Sequence, residues 1–369
     1  MMLAEAHNAQ VPGELFEQAA SWLEAAPMAP REAAAAPAPR APRAAVTIAA
    51  GGDRVREQAL SFGDRGRLFG ILTEPLAPSA GRPTVVLLNN GAVTRVGSNR
   101  LYVTLARRWA ALGFPVLRMD LGGIGDSRPA PGLAENVLYD PSGVADVLSA
   151  LAHLQKTRAH ERFVLAGLCA GGYFAFHTAL LGPPVAGVIM INPLTFYWKP
   201  GDTIDEAPSE VYSTLREYKR SLFRQERWGK LLRGQVPVAY VLQLLLNWTA
   251  TLVKTRLGQL RRRLARVGPG RGDVAADFRS LVDRGVDLLI VFSAGDASID
   301  LVELHAGREL KRLARKGGLQ TAVLEGADHT FTPVAAQRRL SDRLTEHLEQ
   351  RFGRQARVEG SESASSRMR

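Results

Sequence analysis

Short, mostly apolar runs recur along the chain and alternate with stretches of helical periodicity. Thr84–Leu88 (TVVLL), Pro115–Met119, Arg162–Ala166, Val185–Ile191, Asp287–Phe292 (DLLIVF) and Leu319–Leu324 have the length and density of strands buried on both faces. Between them, apolar positions spaced three and four apart predict helices over Arg100–Leu112, Ser142–Leu154, Tyr173–Leu181, Leu301–Arg315 and Ala336–Phe352. A hairpin is expected from Arg54–Phe62 and Arg67–Thr73 around Gly63-Asp64-Arg65-Gly66. Strand and helix in alternation imply a mostly parallel sheet flanked by helices, the α/β class.

The alternation breaks in two places. Residues 12–25 place Leu15, Phe16, Ala19, Trp22 and Leu23 on one side of an acidic helix, and a run of alanine and proline then reads as an extended linker. We therefore divide off 1–51 as helix and linker. Beyond Asn192-Pro193 the pattern stops again, so 195–279 reads as an insertion, with the core in 52–194 and 280–352. The polar tail 353–369 is expected to be disordered.

Composition narrows the setting. With one cysteine among 369 residues, no disulfide can form within the chain. The first fifty residues lack the basic start, apolar core and small-residue cleavage site of a secretory signal, so a cytoplasmic location is expected. The most membrane-like stretch, Val236–Val253, is interrupted by Pro237, Gln243 and Asn247. It falls at or below the roughly 20 apolar residues that span a bilayer, and reads as a buried or interfacial helix.

The net charge of +11 is local. Between Ser213 and Gly272 fourteen Lys and Arg face only Glu217 and Glu226. A general polyanion binder is disfavoured, and nucleic acid is not an expected partner, because no recognition signature accompanies the charge.

The cysteine sits at the most informative point of the chain. The strand ending at Ala166 runs through Gly167-Leu168-Cys169-Ala170-Gly171-Gly172 directly into a helix. A Gly-x-Cys-x-Gly turn between strand and helix resembles a nucleophile elbow, in which tiny flanking residues let the chain reverse sharply and lift the central side chain to the sheet edge. The helix N-terminus then favours a thiolate. By itself the motif also fits an ordinary buried cysteine.

Partners in the order nucleophile, acid, histidine decide for the elbow. Of seven histidines, His329 alone lies between the last strand and the last helix. Asp296 follows the preceding strand, with Asp300 as the alternative acid. Backbone N–H groups of Ala170 and of Ala92, in the loop after TVVLL, are the oxyanion donors expected.

Asn90-Gly91, then Arg118-Met119-Asp120-Leu121-Gly122-Gly123-Ile124-Gly125-Asp126-Ser127, then GLCAGG and GADHTF make the chain similar to α/β-hydrolases of the serine aminopeptidase and monoglyceride lipase type. The resemblance covers about 54–194 and 280–352 and implies the α/β-hydrolase fold. It also implies a helical cap where 195–279 falls, a triad of Cys169, Asp296 and His329, and oxyanion amides at Ala92 and Ala170. Two departures stand out: Asn90-Gly91 where that group has His-Gly, and Cys169 where it has serine. Cysteine elbows also resemble those of polyhydroxyalkanoate synthases and dienelactone hydrolases.

The chemistry expected is hydrolysis or transfer of an acyl group from a small ester or thioester, through an acyl-cysteine, with no cofactor and no metal. Within the basic insertion, Val253, Leu257, Leu260, Leu264 and Val267 form a stripe, with Arg261, Arg262 and Arg263 off it. These arginines belong either to a lid with its charges in water or to a docking face for an acidic acyl carrier domain or an anionic membrane surface. Phe196, Tyr197, Trp198, Tyr212 and Tyr218 could line an acyl or aryl pocket, or pack in the core. Alternative readings are an aminopeptidase-like peptidase and a non-catalytic scaffold whose basic cap binds an acidic partner.

Overall fold

The protein is described here from a computed structural model, covering residues 13–25, 45–50, 52–77, 81–198 and 273–353. Two units separate, 1–44 and 45–369. In the first, α1 (Gly13–Ala25) is the helix its periodicity predicts, with Phe16 and Trp22 exposed.

The second unit is built on a nine-stranded sheet. Its strands are β1 (Ala45–Ala50), β2 (Asp53–Phe62), β3 (Leu68–Pro75), β4 (Thr84–Leu88), β5 (Val116–Asp120), β6 (Phe163–Leu168), β7 (Val185–Ile191), β8 (Asp287–Ser293) and β9 (Leu319–Leu324). They lie in the order β1-β2-β3-β5-β4-β6-β7-β8-β9. β1, β2, β3 and β5 pair antiparallel, and every pair from β5 through β9 is parallel. The helices are α2 (Leu101–Ala111), α3 (Gly143–Arg158), α4 (Ala170–Leu180), α5 (Val274–Asp283), α6 (Ala297–Arg315) and α7 (Val334–Leu348).

The apolar runs are continuous because both faces of the sheet are covered. Val86, Leu88, Leu165, Val188, Met190, Leu288 and Ile290 pack into one core with α3, α4, α5 and α6. Their neighbours Val85, Leu87, Val164, Ala166, Ile189, Leu289 and Val291 pack into a second core with α2 and α7. Alternation along each strand thus feeds two apolar layers instead of one apolar and one wet.

Topology fixes where a site can form. After β4 the chain crosses to β5 on one side, and it later returns to β6 on the other, so winding reverses at β4. A crevice opens at the carboxyl ends of strands at such a switch point, which is where the loops after β4 and β6 meet.

Two boundaries differ from expectation. The sheet begins at Ala45, inside the stretch read as linker: Ile48 and Ala50 pack with Val55 and Ala110, and the β-branched Val46, Thr47 and Ile48 suit an edge strand despite the alanine-rich context. Helix α5 is cut by the expected 279/280 boundary, yet its Phe278 and Leu281 are fully buried in the first core, so the core includes α5 from Val274. The expected cap helix, Arg261, Arg262 and Arg263, Tyr212, Tyr218, the Val236–Val253 stretch and the polar tail beyond 353 lie outside the described residues. Among the described residues no helix is long and apolar enough to cross a membrane.

Candidate active site

The elbow is enforced by backbone crowding. Cys169 has φ 54° and ψ −116°, a left-handed region that costs a non-glycine residue about 1–3 kcal/mol. A Cβ on Gly167 would lie 2.3 Å from the carbonyl carbon of Gly171, and one on Gly171 would lie 2.4 Å from the Leu88 carbonyl oxygen. Only glycine fits at either position. Cys169 N–H donates to Ile191 C=O at 2.8 Å, and α4 starts at the next residue, leaving Cys169 half-buried between strand and helix.

A buried phenol braces the turn. Tyr102, on α2, donates to Leu88 C=O at 2.9 Å and accepts from Leu168 N–H at 3.0 Å, joining the ends of β4 and β6. Burial outweighs the hydrogen bond from Leu168 N–H and holds its hydroxyl well above the ordinary tyrosine range, so it stays protonated.

His329 lies in the loop between β9 and α7. Its Nδ1 donates to Asp296 Oδ2 at 2.7 Å. Asp296 is also the N-cap of α6, its other oxygen accepting from Ser298 N–H at 2.9 Å and from the Ser298 hydroxyl. Burial would raise this carboxyl, but the hydrogen bonds from His329 and Ser298 outweigh it, and Asp296 is held below its usual value. Burial would likewise lower His329; Asp296 on one side and the Cys169 sulfur on the other overcome it, pushing the imidazole up to about 10. Nε2 is buried and without an aligned hydrogen bond, so it interacts with the sulfur by proximity and charge in this state.

The histidine loop is latched to the sheet. Asn192, just past β7 with φ 44°, donates through Nδ2 to His329 C=O at 2.8 Å and to Ser293 Oγ at 2.5 Å, and accepts Ser293 N–H at 2.8 Å. Ser293 Oγ donates in turn to Asp328 C=O at 2.8 Å. Within the loop, Asp328 Oδ1 caps Thr332 N–H at 2.7 Å.

On the other side, buried Asp120 gathers the loops after β4 and β5. It accepts from Asn89 Nδ2 at 3.1 Å, from Arg95 N–H at 2.6 Å, from the Arg95 guanidinium at 2.5 Å and from Asp126 N–H at 3.2 Å. Asn89 Oδ1 accepts Leu121 N–H at 2.8 Å.

Of the residues singled out in the sequence, Cys169, His329 and Asp296 are brought together. Asp300 lies one turn further along α6, and it is Asp296 whose carboxylate bonds the ring. Ala170 is the first residue of α4, where an N–H has no acceptor in its own helix. Ala92 sits in the turn closed by Val93 N–H to Asn90 C=O. Phe196 is core, against Phe176 and Phe278, whereas Trp198 stacks on Tyr139. Tyr139, whose hydroxyl lies 3.8 Å from Cys169 Sγ, has no sequence signal beyond its place in a Gly/Pro-rich loop. Asn192 and Ser293 had one: polar side chains closing buried strands.

Residues 83–231 match the sequence family described as serine aminopeptidase, S33. No curated protein matches the chain in sequence. Similar solved structures include a proline iminopeptidase from Mycobacterium smegmatis, with 14% identity, 84% of this chain and 98% of that one covered, and TM-score 0.45. An esterase from Pyrococcus furiosus has 13% identity, 84% and 92% coverage and TM-score 0.45. A thermophilic esterase from Thermogutta terrifontis has 19% identity, 84% and 99% coverage and TM-score 0.42. Strand order, elbow and family match identify the α/β-hydrolase fold.

Proposed function

We propose that the protein is an acyl hydrolase or acyltransferase acting on esters or thioesters through a Cys169–His329–Asp296 triad. The observation that carries this reading is an imidazole held by a buried carboxylate beside a thiol presented on a strained elbow.

The thiolate of Cys169 attacks the acyl carbon, forming a C–S bond while the carbonyl π electrons move to oxygen. The N–H groups of Ala170 and Ala92 take that charge. Collapse expels the leaving group, which collects the proton from the His329 imidazolium, and a thioester remains on Cys169. Water or another acceptor then gives its proton to His329 Nε2 and attacks the thioester, and the sulfur departs with its electron pair. Asp296 holds Nδ1–H throughout, so Nε2 always faces the reaction. Exchange between thioesters is nearly balanced in free energy, which suits a cysteine enzyme to acyl groups that arrive on sulfur.

The test is intact-protein mass spectrometry with a panel of p-nitrophenyl esters, acyl thioesters and aminoacyl amides. An acyl adduct should appear on wild type and vanish in Cys169→Ala; an adduct elsewhere would overturn the reading. The family match to serine aminopeptidases favours a peptidase as the second reading, and turnover of only the amides would select it.

The latch gives a separate expectation. Asn192→Ala should lower kcat by about tenfold to a hundredfold with little change in KM, because a reacting group misplaced by a fraction of an ångström loses alignment and not substrate affinity. Steady-state kinetics on whichever substrate gives the adduct checks it.

A further inference from the structure

Tyr139 is placed against the reacting sulfur by more than one constraint. Its hydroxyl lies 3.8 Å from Cys169 Sγ, and the residue is 3% exposed. The ring stacks on Trp198 with centroids 4.5 Å apart and meets Tyr173 edge-on at 5.1 Å. Its backbone has φ 53°, a conformation that an aromatic side chain rarely takes, so its position is imposed by the surroundings.

We propose that the Tyr139 hydroxyl donates a hydrogen bond to the Cys169 sulfur, stabilising the thiolate both before attack and as it departs from the acyl group. The proposal rests on the reading of Cys169 as nucleophile and deepens it.

The direction of the bond follows from charge. Burial first, then the neighbouring sulfur, hold the Tyr139 hydroxyl far above the ordinary tyrosine range, so the phenol keeps its proton and is the donor whenever the sulfur is a thiolate. The other groups near the sulfur have different tasks. His329 is bound to Asp296 through Nδ1 and serves as the proton carrier, while the Tyr102 hydroxyl is committed to Leu88 and Leu168. Tyr173, next to Tyr139, is itself kept protonated by burial.

The separation of 3.8 Å is within the longer reach of a hydrogen bond to sulfur, whereas O–H···O bonds need about 2.5–3.0 Å. A serine hydroxyl at 169 stays neutral at rest and gives this donor no anion to stabilise, so the pairing with Tyr139 should matter for cysteine and not for serine. In the second half of the cycle, when the C–S bond breaks and the electron pair returns to sulfur, a donor already on that atom lowers the cost of expulsion.

Four full-length proteins test this: wild type, Tyr139→Phe, Cys169→Ser and the double variant, assayed with p-nitrophenyl acetate and, for the two cysteine proteins, with iodoacetamide across pH. Tyr139→Phe keeps the ring and its stack. It should slow release of the acyl-enzyme about tenfold, so that the acetyl adduct accumulates, and should move the alkylation midpoint up by about one pH unit. In the Cys169→Ser background the same change should alter the rate by less than about twofold. An equal loss in both backgrounds, or an unmoved alkylation profile, overturns the proposal. If Tyr139→Phe does not fold, fluorinated tyrosine at 139, a stronger donor, should shift the midpoint downward, and no shift would overturn it. Should no ester, thioester or amide acylate Cys169 while Tyr139→Phe still moves the midpoint, the nucleophile reading fails and the donor contact stands. Normal acylation with no effect of Tyr139→Phe fails the donor alone.

Discussion

Replacing His329 by alanine should lower turnover of an acyl substrate by about 10²–10⁴-fold, the usual weight of a positioned acid–base group, with no rescue by Asp328 next to it. The Asp328 carboxylate is already committed to Thr332 N–H, and its backbone carbonyl to Ser293. The same substitution leaves Asp296 nearly buried without the ring that held it, which costs about 1–3 kcal/mol of stability. The pH dependence of that loss has a defined sign. His329 is raised from 6.5 to about 10, so its contribution is complete below 6.5 and is lost as pH climbs through about 10. Asp296 is lowered from 3.8, so its contribution is present above 3.8 and is lost as pH falls through its depressed value. Wild type and His329→Ala should therefore unfold most differently between these limits and converge at both ends, as denaturant midpoints measured across pH will show.

Gly171→Ala should be strongly destabilising. The new Cβ would lie 2.4 Å from the Leu88 carbonyl oxygen and 3.0 Å from that of Asn89. Both are backbone atoms at the end of β4, locked by the Tyr102 hydroxyl and by the Asn89 network, so neither can yield without opening the loop that carries Ala92. A loss of about 3–5 kcal/mol is expected, together with a changed rate of alkylation at Cys169. Gly172→Ala is the control, since its nearest contacts are Gly167 O at 3.3 Å and Met190 Cβ at 3.4 Å, and its effect should stay within about 1 kcal/mol. Chemical denaturation of the two variants separates a specific clash from a general intolerance of the helix N-terminus.

The strands from β4 to β9 were legible because each is buried on two faces and so writes an unbroken apolar run into the sequence. The elbow was legible for a different reason: crowding of 167 against 171, and of 171 against Leu88, leaves glycine as the one residue type that fits, and a motif follows. Chain order pointed to His329 and Asp296, each after a strand end, and the two side chains are hydrogen-bonded at 2.7 Å. β1 was hidden because alanine and proline around it mimic a linker, and Ile48 contributes one side chain to a small third cluster. Helix α5 was hidden by the sheer length of the interruption before it, although Phe278 and Leu281 carry a core stripe of their own. Tyr139 could not be read at all. Its relation to Cys169 depends on a left-handed backbone and on stacking with Trp198, neither of which leaves a periodic trace.

The latch formed by Asn192 and Ser293 has a thermodynamic consequence. With the carbonyls of Asp328 and His329 fastened to the ends of β7 and β8, the disorder of that loop is given up once, when the chain folds, and not again on every turnover. Little ordering of the base then remains to be done at the moment of reaction. The activation entropy of the proposed acyl-transfer step should accordingly be small, with the barrier carried mainly by enthalpy.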